Sequence, residues 1–410
     1  MAANNRKKSS ASKNSSVKTA MKIGAAAAAA VKTAKKSKKS GGNSFVAVLV
    51  CFLLIFAIGA GLYYFFVLKK DTPDKNIAFS DADISVHFIE LGNKYTGDCT
   101  FIKVGDTEVL IDCGSKASSI ATVSKYLNNY VKDGIIEYVI ITHAHEDHYA
   151  GFATTESVNS IFDLYECKTI ITFAKTNQQV KGLYANYLRE LNDEINSGAT
   201  HYTADKCYNG EDGASRTYDL GKGYELEILY NKFYWEESNS ENNYSVCCMV
   251  RGGHRYNFLF TGDLEKAGEE ALAEQFVKDH VNALQESYSV DLYKAGHHGS
   301  KTSSTAKFLK VFKPKICCVC CCAGSSEYTD NPAHQFPSQD FIDRISVYTA
   351  RVYITTMCID YANNVFKSFN GNIVAFANGN SGVGISCSDN NDFLKDTAWF
   401  KENRTCANWT

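Results

Sequence analysis

The chain has 410 residues, 45% of them hydrophobic and 21% charged, a composition that excludes a mainly disordered or collagen-like protein. Its net charge of -2 hides an asymmetry, because residues 1–44 contain 11 Lys and Arg and no acidic residue. The remaining residues carry 32 basic and 45 acidic groups, a net charge of -13. The 15 cysteines are spread too thinly along this length for a small disulfide scaffold.

The first predicted element is a membrane-spanning helix. Residues 45–67 form a run of 23 residues without a charge, long enough at about 1.5 Å per residue to cross a hydrocarbon core of roughly 30 Å. By the positive-inside rule, the basic residues 1–44 before it lie in the cytoplasm and the body lies outside the cell. We therefore expect a cytoplasmic tail (1–44), a single-pass signal anchor in the cell membrane (45–68), a stalk (69–83) and an extracellular body.

The body alternates strand and helix patterns, which predicts one α/β domain over residues 84–388, followed by a C-terminal tail over 389–410. Residues 176–245 are more polar and predict loops or a cap near a site. The predicted strands are 85–91, 99–104, 108–112, 138–141, 257–261, 292–295 and 315–322, and the predicted helices are 117–131, 264–284 and 339–347.

A cluster of potential metal ligands follows the predicted strand 138–141. It reads Thr142-His143-Ala144-His145-Glu146-Asp147-His148. In an extended segment His143 and His145 point the same way, and a turn after them can bring Asp147 and His148 to a second ion. Imidazole and carboxylate together favour Zn²⁺, Mn²⁺ or Fe²⁺ over Ca²⁺. The alternative is a surface histidine cluster, which three of the chain's ten histidines beside an aspartate make a poor explanation.

Two further predicted strands end in residues of the same chemistry. Strand 257–261 leads into Gly262-Asp263, and strand 292–295 leads into Gly296-His297-His298-Gly299-Ser300. Sites in α/β proteins are built at such strand ends. Asp263 has two interpretations, a cap of the following helix or a bridge between two ions.

With these residues, the body from about 84 to 376 resembles the metallo-β-lactamase superfamily, whose HxHxDH motif matches residues 143–148. In detail it is most similar to the ComEC-type extracellular hydrolase domain. Phosphorylcholine esterases of cell-wall teichoic acids are similar in the same motifs. The further matching residues are Gly97-Asp98, Asp112-Cys113-Gly114, Asn243 with Ser245, Thr261-Gly262-Asp263 and the HHGS run from His297 to Ser300.

The resemblance implies a four-layer αββα sandwich with two divalent metal ions, Zn or Mn, at one edge. His143 and His145 would hold the first ion, while Asp147, His148 and His297 would hold the second with Asp263 bridging. The residues implied in catalysis are Asp147, His298, Ser300 and Lys301. Those implied to orient ligands or contact substrate are Asp98, Asp112, Asn243 and His334.

The predicted function is a membrane-anchored phosphodiesterase or nuclease of ComEC type that acts by a metal-bound hydroxide. The alternatives are a cell-surface esterase of a small or cell-wall phosphodiester and a non-catalytic metal-binding protein. The predicted partners are a phosphodiester substrate, with DNA among the candidates, and the membrane; no protein partner is predicted. The net charge of the body argues against high-affinity binding to nucleic acid.

Overall fold

A computed structural model describes residues 82–252, 256–280, 288–378 and 382–409 of the chain. The predicted tail, membrane span and most of the stalk lie outside these residues. Within the described ranges, no helix has the length and apolar character needed to cross a membrane.

The described strands form two eight-stranded sheets, and nine α-helices accompany them. The strands are β1 Ile84–Phe88, β2 Thr100–Val104, β3 Thr107–Ile111, β4 Ile135–Ile141, β5 Glu166–Thr172, β6 Thr200–Thr203, β7 Thr217–Gly221, β8 Tyr224–Ile228, β9 Cys248–Gly252, β10 Tyr256–Phe260, β11 Leu292–Lys294, β12 Cys317–Ala323, β13 Val352–Asp360, β14 Val365–Ser368, β15 Ile373–Ala377 and β16 Val383–Cys387. The helices are α1 Ile120–Leu127, α2 Glu146–Tyr149, α3 Ile161–Leu164, α4 Gly182–Asn196, α5 Ala204–Asn209, α6 Lys266–Asp279, α7 Ala306–Phe312, α8 Gln339–Ile345 and α9 Ala398–Asn403.

Both sheets are mixed. The first has the order β16-β15-β1-β2-β3-β4-β5-β6 and the second β14-β13-β12-β11-β10-β9-β8-β7. In the first sheet β3 to β6 run parallel, and in the second β10 to β13 do so. The motif residues follow the C-terminal ends of these parallel strands, at Asp112 after β3, Thr142 after β4, Thr261 after β10 and Ala295 after β11. The parallel ladders therefore bring together segments that are far apart in sequence.

Two hydrophobic cores separate the layers. The first contains residues of both sheets and of helices α1 and α4, and the second joins the other face of the second sheet to α6, α7, α8 and α9. Strand β12 contributes to both, because successive side chains point to opposite faces: Cys318 and Cys320 lie in the first core, and Cys317 and Cys321 in the second. The arrangement is consistent with the predicted αββα sandwich.

The structure differs from the sequence expectation in the polar region 176–245. Instead of loops alone it contains α4, α5 and strands β6 to β8. Helix α4 buries Tyr184, Tyr187 and Leu191, and the Tyr187 ring lies 5.3 Å from that of Tyr149 in α2. Tyrosines supply much of this face, so the region has less aliphatic periodicity than an ordinary amphipathic helix.

Residues 389–409 pack onto the body. Leu394, Trp399 and Phe400 are buried members of the second core. The Arg404 guanidinium donates hydrogen bonds to the Pro337 and Gln335 carbonyls, both at 2.8 Å. The C-terminal residues thus cover the outer face of the second sheet and hold the loop before α8.

Candidate metal centre

Backbone geometry at the strand ends brings the motif segments close together. Asp112 adopts a left-handed conformation with φ 58°, which turns the chain directly after β3. Gly114 follows it, and a Cβ at that position would lie 2.4 Å from the Asp147 carbonyl. Only glycine permits this approach of the two backbones, so Gly114 allows the Asp112 turn to pack against the His143–His148 segment.

Four side chains converge at the centre of the site. The Asp263 Oδ2 atom lies 3.2 Å from His148 Nε2 and 3.3 Å from His298 Nε2. The His298 Nε2 atom lies 3.4 Å from Asp147 Oδ2. Ligands at the 2.0–2.1 Å bond lengths of tetrahedral Zn²⁺ are separated by about 3.3 Å, so these spacings are those of a coordination shell.

Hydrogen bonding on the far side of each imidazole identifies the atom that faces the centre. His298 Nδ1 lies 2.8 Å from the Cys320 carbonyl, and His148 Nδ1 lies 2.8 Å from Asp112 Oδ2. Both neighbours are acceptors, so each Nδ1 carries a proton, and Nε2 is the atom that each ring would offer to a metal ion. In the described structure both Nε2 atoms are buried without a hydrogen-bond partner. Such orphaned nitrogens beside carboxylates fit a divalent cation.

Two further aspartates support the histidines from behind. Asp112 accepts hydrogen bonds from the Thr142 amide at 2.7 Å and from the Thr142 hydroxyl at 2.8 Å, in addition to its contact with His148. Asp98 Oδ1 lies 3.3 Å from His298 Nδ1. Carboxylates in this position orient a ligand imidazole and increase its basicity. Asp112 and Asp98 thus lie beside the outer nitrogens of His148 and His298.

The charges of the cluster are strongly coupled. Burial alone would lower the pKa of His148, but the carboxylates of Asp263 and Asp112 hold it well above its usual range. Burial would raise the pKa of Asp263, but the imidazoles of His298 and His148 hold it well below the usual value. In the absence of a metal ion the histidines therefore act as counterions for the carboxylates, a role that a bound cation takes over.

The structure adds Lys294, which the sequence analysis did not select. It is the last residue of β11 and is only 3% exposed. Its ammonium contacts Asp98 Oδ2 and lies 3.6 Å from Asp263 Oδ1 and 3.4 Å from the Gly262 carbonyl. The available indication in the sequence was a lysine within the predicted strand 292–295, three residues before the His297-His298 pair.

His143 and His145 lie beside this cluster rather than within it. His143 Nε2 and His145 Nδ1 are 3.0 Å apart, and the ring of His143 is centred 4.2 Å from that of His148. The two histidines thus lie next to each other at one side of the cluster, and a first ion held by them stays a prediction. On its other side, His143 Nδ1 lies 3.2 Å from the Thr142 hydroxyl and 3.4 Å from the Ser245 hydroxyl.

Of the two adjacent histidines of the HHGS run, His298 lies at the centre of the cluster and His297 lies outside it. His298 is buried with its Nε2 at the centre, and it groups with Asp98, His148 and Asp263 as a set able to hold an ion. His297 lies farther out, with Nε2 3.8 Å from Asp263 and Nδ1 3.0 Å from the Thr302 hydroxyl. Both residues have positive φ in a tight turn, a geometry that the sequence pattern does not reveal.

The other predicted residues lie around the rim. Ser300 is held against Thr302, with the two hydroxyls 3.1 Å apart. The exposed Lys301 ammonium lies 3.3 Å from His334 Nδ1. The Asn243 side chain donates to Ser238 Oγ at 2.9 Å and accepts from the Glu265 amide, so it braces the wall of the site rather than facing the histidines.

Tyr328 is a second residue that the sequence analysis missed. Its hydroxyl donates a hydrogen bond of 3.0 Å to Asp147 Oδ2, the same oxygen that faces His298. The side chain is 56% exposed. It comes from the loop after β12, more than 170 residues from Asp147 along the chain, so no local pattern connects the two.

Comparison with known proteins identifies the relatives of this chain. The family model of the metallo-beta-lactamase superfamily matches residues 92–154, which confirms the resemblance predicted from the sequence. ComE operon protein 3 of Bacillus subtilis (strain 168) is 32% identical over 131 residues. That match covers 31% of this chain and 15% of the relative, so the chain spans only a small part of that protein.

Solved structures that overlap with part of this chain include the following three. The metallo-beta-lactamase fold protein YhfI from Bacillus subtilis is 11% identical with a TM-score of 0.38, and the overlap covers 67% of this chain and 96% of that one. A long form RNase Z from yeast is 11% identical with a TM-score of 0.37, covering 70% and 39%. Unliganded yeast PDE1 is 11% identical with a TM-score of 0.34, covering 65% and 80%.

Proposed function

We propose that this protein is a metal-dependent phosphodiesterase, held at the outer surface of a cell membrane by residues 45–68. The observation that carries the proposal is the convergence of His148, His298, Asp263 and Asp147 at ligand spacing, with two buried imidazole nitrogens lacking partners. A site of this composition suits Zn²⁺ or Mn²⁺. His143 and His145 would contribute to the other ion, the one named first in the resemblance, beside this site.

The chain's own residues then have separate tasks. When bound, divalent cations polarise a phosphoryl oxygen and acidify water. Asp112 and Asp98 keep the imidazoles in the tautomer that binds metal. At the rim, Lys301 places a positive charge where a phosphate oxygen would enter, and the Ser300 hydroxyl is available as a donor.

A cleft beside the centre supports an anionic substrate. It encloses about 690 Å³, and Glu265 in its wall lies 3.9 Å from His297 Nδ1. Its charged lining residues are Lys266, Lys301, Lys307, Arg344, Glu265 and Glu270. The lining thus has an excess of positive charge on a body whose net charge is -13. Such a cleft favours a phosphate-bearing ligand.

The size of the substrate distinguishes two forms of the proposal. A nuclease needs several cations along the backbone of a polymer, whereas two carboxylates interrupt this cleft and Lys307 pairs with Glu274. These acidic groups favour a small or cell-wall phosphodiester over DNA. Parallel assays of plasmid degradation and of choline release from a phosphorylcholine ester separate the two substrate classes.

The proposal is tested with Asp263→Asn and His148→Ala in the full chain. Each removes a group that faces the centre, so hydrolysis of bis(p-nitrophenyl) phosphate with Mn²⁺ or Zn²⁺ should fall by about 100-fold or more. His201→Ala is the matched control, because His201 bonds Thr172 on the edge strands of the first sheet. Wild-type rates in both site variants, with an unchanged circular dichroism spectrum, would exclude this site as the catalytic one.

A further inference from the structure

Lys294 stands out among the buried charges of the described residues. Its ammonium is enclosed between β11 and the Asp98 turn, with Asp98 Oδ2, Asp263 Oδ1 and the Gly262 carbonyl as its neighbours. The ammonium is within hydrogen-bond distance of Asp98 Oδ2 and of the Gly262 carbonyl, and it lies at ion-pair distance from Asp263 Oδ1. Burying the charge of a lysine costs several kcal/mol unless such partners are present, so these contacts are needed to keep the Lys294 ammonium inside the protein.

The partners of Lys294 are themselves members of the metal cluster. Asp98 belongs, with His148, Asp263 and His298, to a set of ligand atoms that all lie within 4.8 Å of one another. By distance alone, Asp98 is able to bind an ion directly. An ammonium in contact with its Oδ2 opposes this, because a divalent cation and an ammonium repel each other when they share one carboxylate.

The two oxygens of each aspartate have different neighbours. Asp98 directs Oδ1 toward His298 Nδ1, at 3.3 Å. Asp263 directs Oδ1 toward Lys294 and Oδ2 toward the Nε2 atoms of His148 and His298. Lys294 therefore contacts Asp98 Oδ2 and faces the Asp263 oxygen that is turned away from the two Nε2 atoms.

We propose that Lys294 is a positioning residue of the metal centre: it keeps Asp98 out of the coordination shell, so that Asp98 orients the His298 imidazole instead of binding the ion. The inference rests on the metal site of the proposed function. Lys294 also contributes to the net charge of the site. The aspartates at positions 98, 112, 147 and 263 and one ammonium sum to -3 with neutral histidines, so the lysine leaves a site holding two divalent ions with a net positive charge for an anionic substrate.

The test measures metal binding rather than hydrolysis. Zn²⁺ affinity and the number of bound ions are determined for the full chain by competition with a chromophoric chelator and by atomic emission. Lys294→Met removes the ammonium and releases Asp98, so Zn²⁺ should bind about tenfold more tightly or with a higher stoichiometry. Asp98→Asn removes the carboxylate that orients His298, so binding should weaken by about tenfold.

The double variant Asp98→Asn with Lys294→Met completes the cycle. It removes both members of the buried pair and leaves no uncompensated charge, so it should fold even if Lys294→Met alone does not. If Lys294 acts through Asp98, the double variant should bind Zn²⁺ about as weakly as Asp98→Asn, because no carboxylate is left at position 98 for the ammonium to withhold. Lys294→Gln provides a second neutral replacement. Lys315→Met is the matched control, since Lys315 pairs with Asp291 at 2.8 Å outside the site and should leave Zn²⁺ affinity unchanged.

The outcomes separate this inference from the proposed function. If wild type binds Zn²⁺ and both neutral Lys294 variants bind it with the same affinity and stoichiometry, or more weakly, the inference is overturned while the metal site stands. The same holds if Lys294→Met tightens Zn²⁺ binding by the same factor in the Asp98→Asn background as in wild type, because Lys294 then acts on the ion by its charge alone and not through Asp98. A wild-type chain that binds no Zn²⁺ overturns both.

Discussion

Individual side chains at the centre are held in place by hydrogen bonds on their outer sides. His148 is oriented by its hydrogen bond to Asp112 and His298 by its hydrogen bond to the Cys320 carbonyl, while Asp98 Oδ1 lies 3.3 Å from the same nitrogen of His298. Asp112 is itself anchored by both the amide and the hydroxyl of Thr142. Its left-handed backbone conformation is uncommon for a residue other than glycine, asparagine or aspartate, and it points the carboxylate back across the strand ends.

Asp112→Asn tests whether the negative charge of Asp112 supports His148 as a metal ligand. Asparagine tolerates the same left-handed conformation and has nearly the same shape, so the change mainly removes the negative charge behind His148. We expect Zn²⁺ affinity to fall by about 10- to 100-fold with little loss of folded protein. Chelator competition measures the affinity. Asp163→Asn, at the start of α3 where Asp163 bonds Ser160, is a control that should not change it.

At the scale of elements, helix α6 supports the start of α7. Glu269 of α6 is fully buried, and its two carboxylate oxygens accept hydrogen bonds from the Ser304 amide at 2.6 Å and the Thr305 amide at 2.8 Å. These amides lie just before α7, where a helix has no internal acceptors. The contact links the segment after His298 to the helix that follows Asp263, so it fixes two strand-end loops relative to each other.

Glu269 also predicts a pH dependence of stability. Burial raises its pKa from 4.5 to about 7. The folded state therefore holds this proton more tightly than the unfolded state, and the contribution of Glu269 to stability is present below about pH 4.5 and lost as pH rises through 7. Relative to Glu269→Gln, the free energy of unfolding of wild type should fall by about 3 kcal/mol across this range. Urea denaturation at several pH values measures it, and parallel pH curves for the two proteins would contradict the prediction.

At the scale of the whole body, the C-terminal residues complete the second core and reach the site. Arg404 holds the loop around Phe336 through the carbonyls of Gln335 and Pro337. The Phe336 ring is centred 5.8 Å from that of His297 and 5.9 Å from that of His298. The end of the chain thus stabilises a wall of the metal centre.

Removing residues 393–410 should therefore destabilise the body. Leu394, Trp399 and Phe400 lose their burial, and at roughly 1.5–3 kcal/mol per large apolar side chain the free energy of unfolding should fall by on the order of 5 kcal/mol. Thermal unfolding, compared between the full-length protein and the shortened protein, measures the change. Trp409→Ala, at a partly buried position of the same segment, should cost less, and a shortened chain as stable as wild type would show that these contacts contribute little.

The sequence alone determined the chemistry of the site and the strand ends that carry it. His143 to His148, Asp112, Asp263 and the HHGS run are recognisable because the ligand types are close together or directly follow apolar strands, and both features are local. Local periodicity likewise indicated an α/β body, while the membrane span over residues 45–68 stays a prediction from hydropathy and charge.

Only the tertiary structure decided which of these groups meet. The choice of His298 over His297, the contact of Tyr328 with Asp147 and the enclosure of Lys294 between Asp98 and Asp263 all join residues far apart in sequence or depend on a positive φ. Such contacts are set by how the parallel strands of two sheets align their ends. No short-range pattern encodes that alignment, because it depends on the packing of both cores at once.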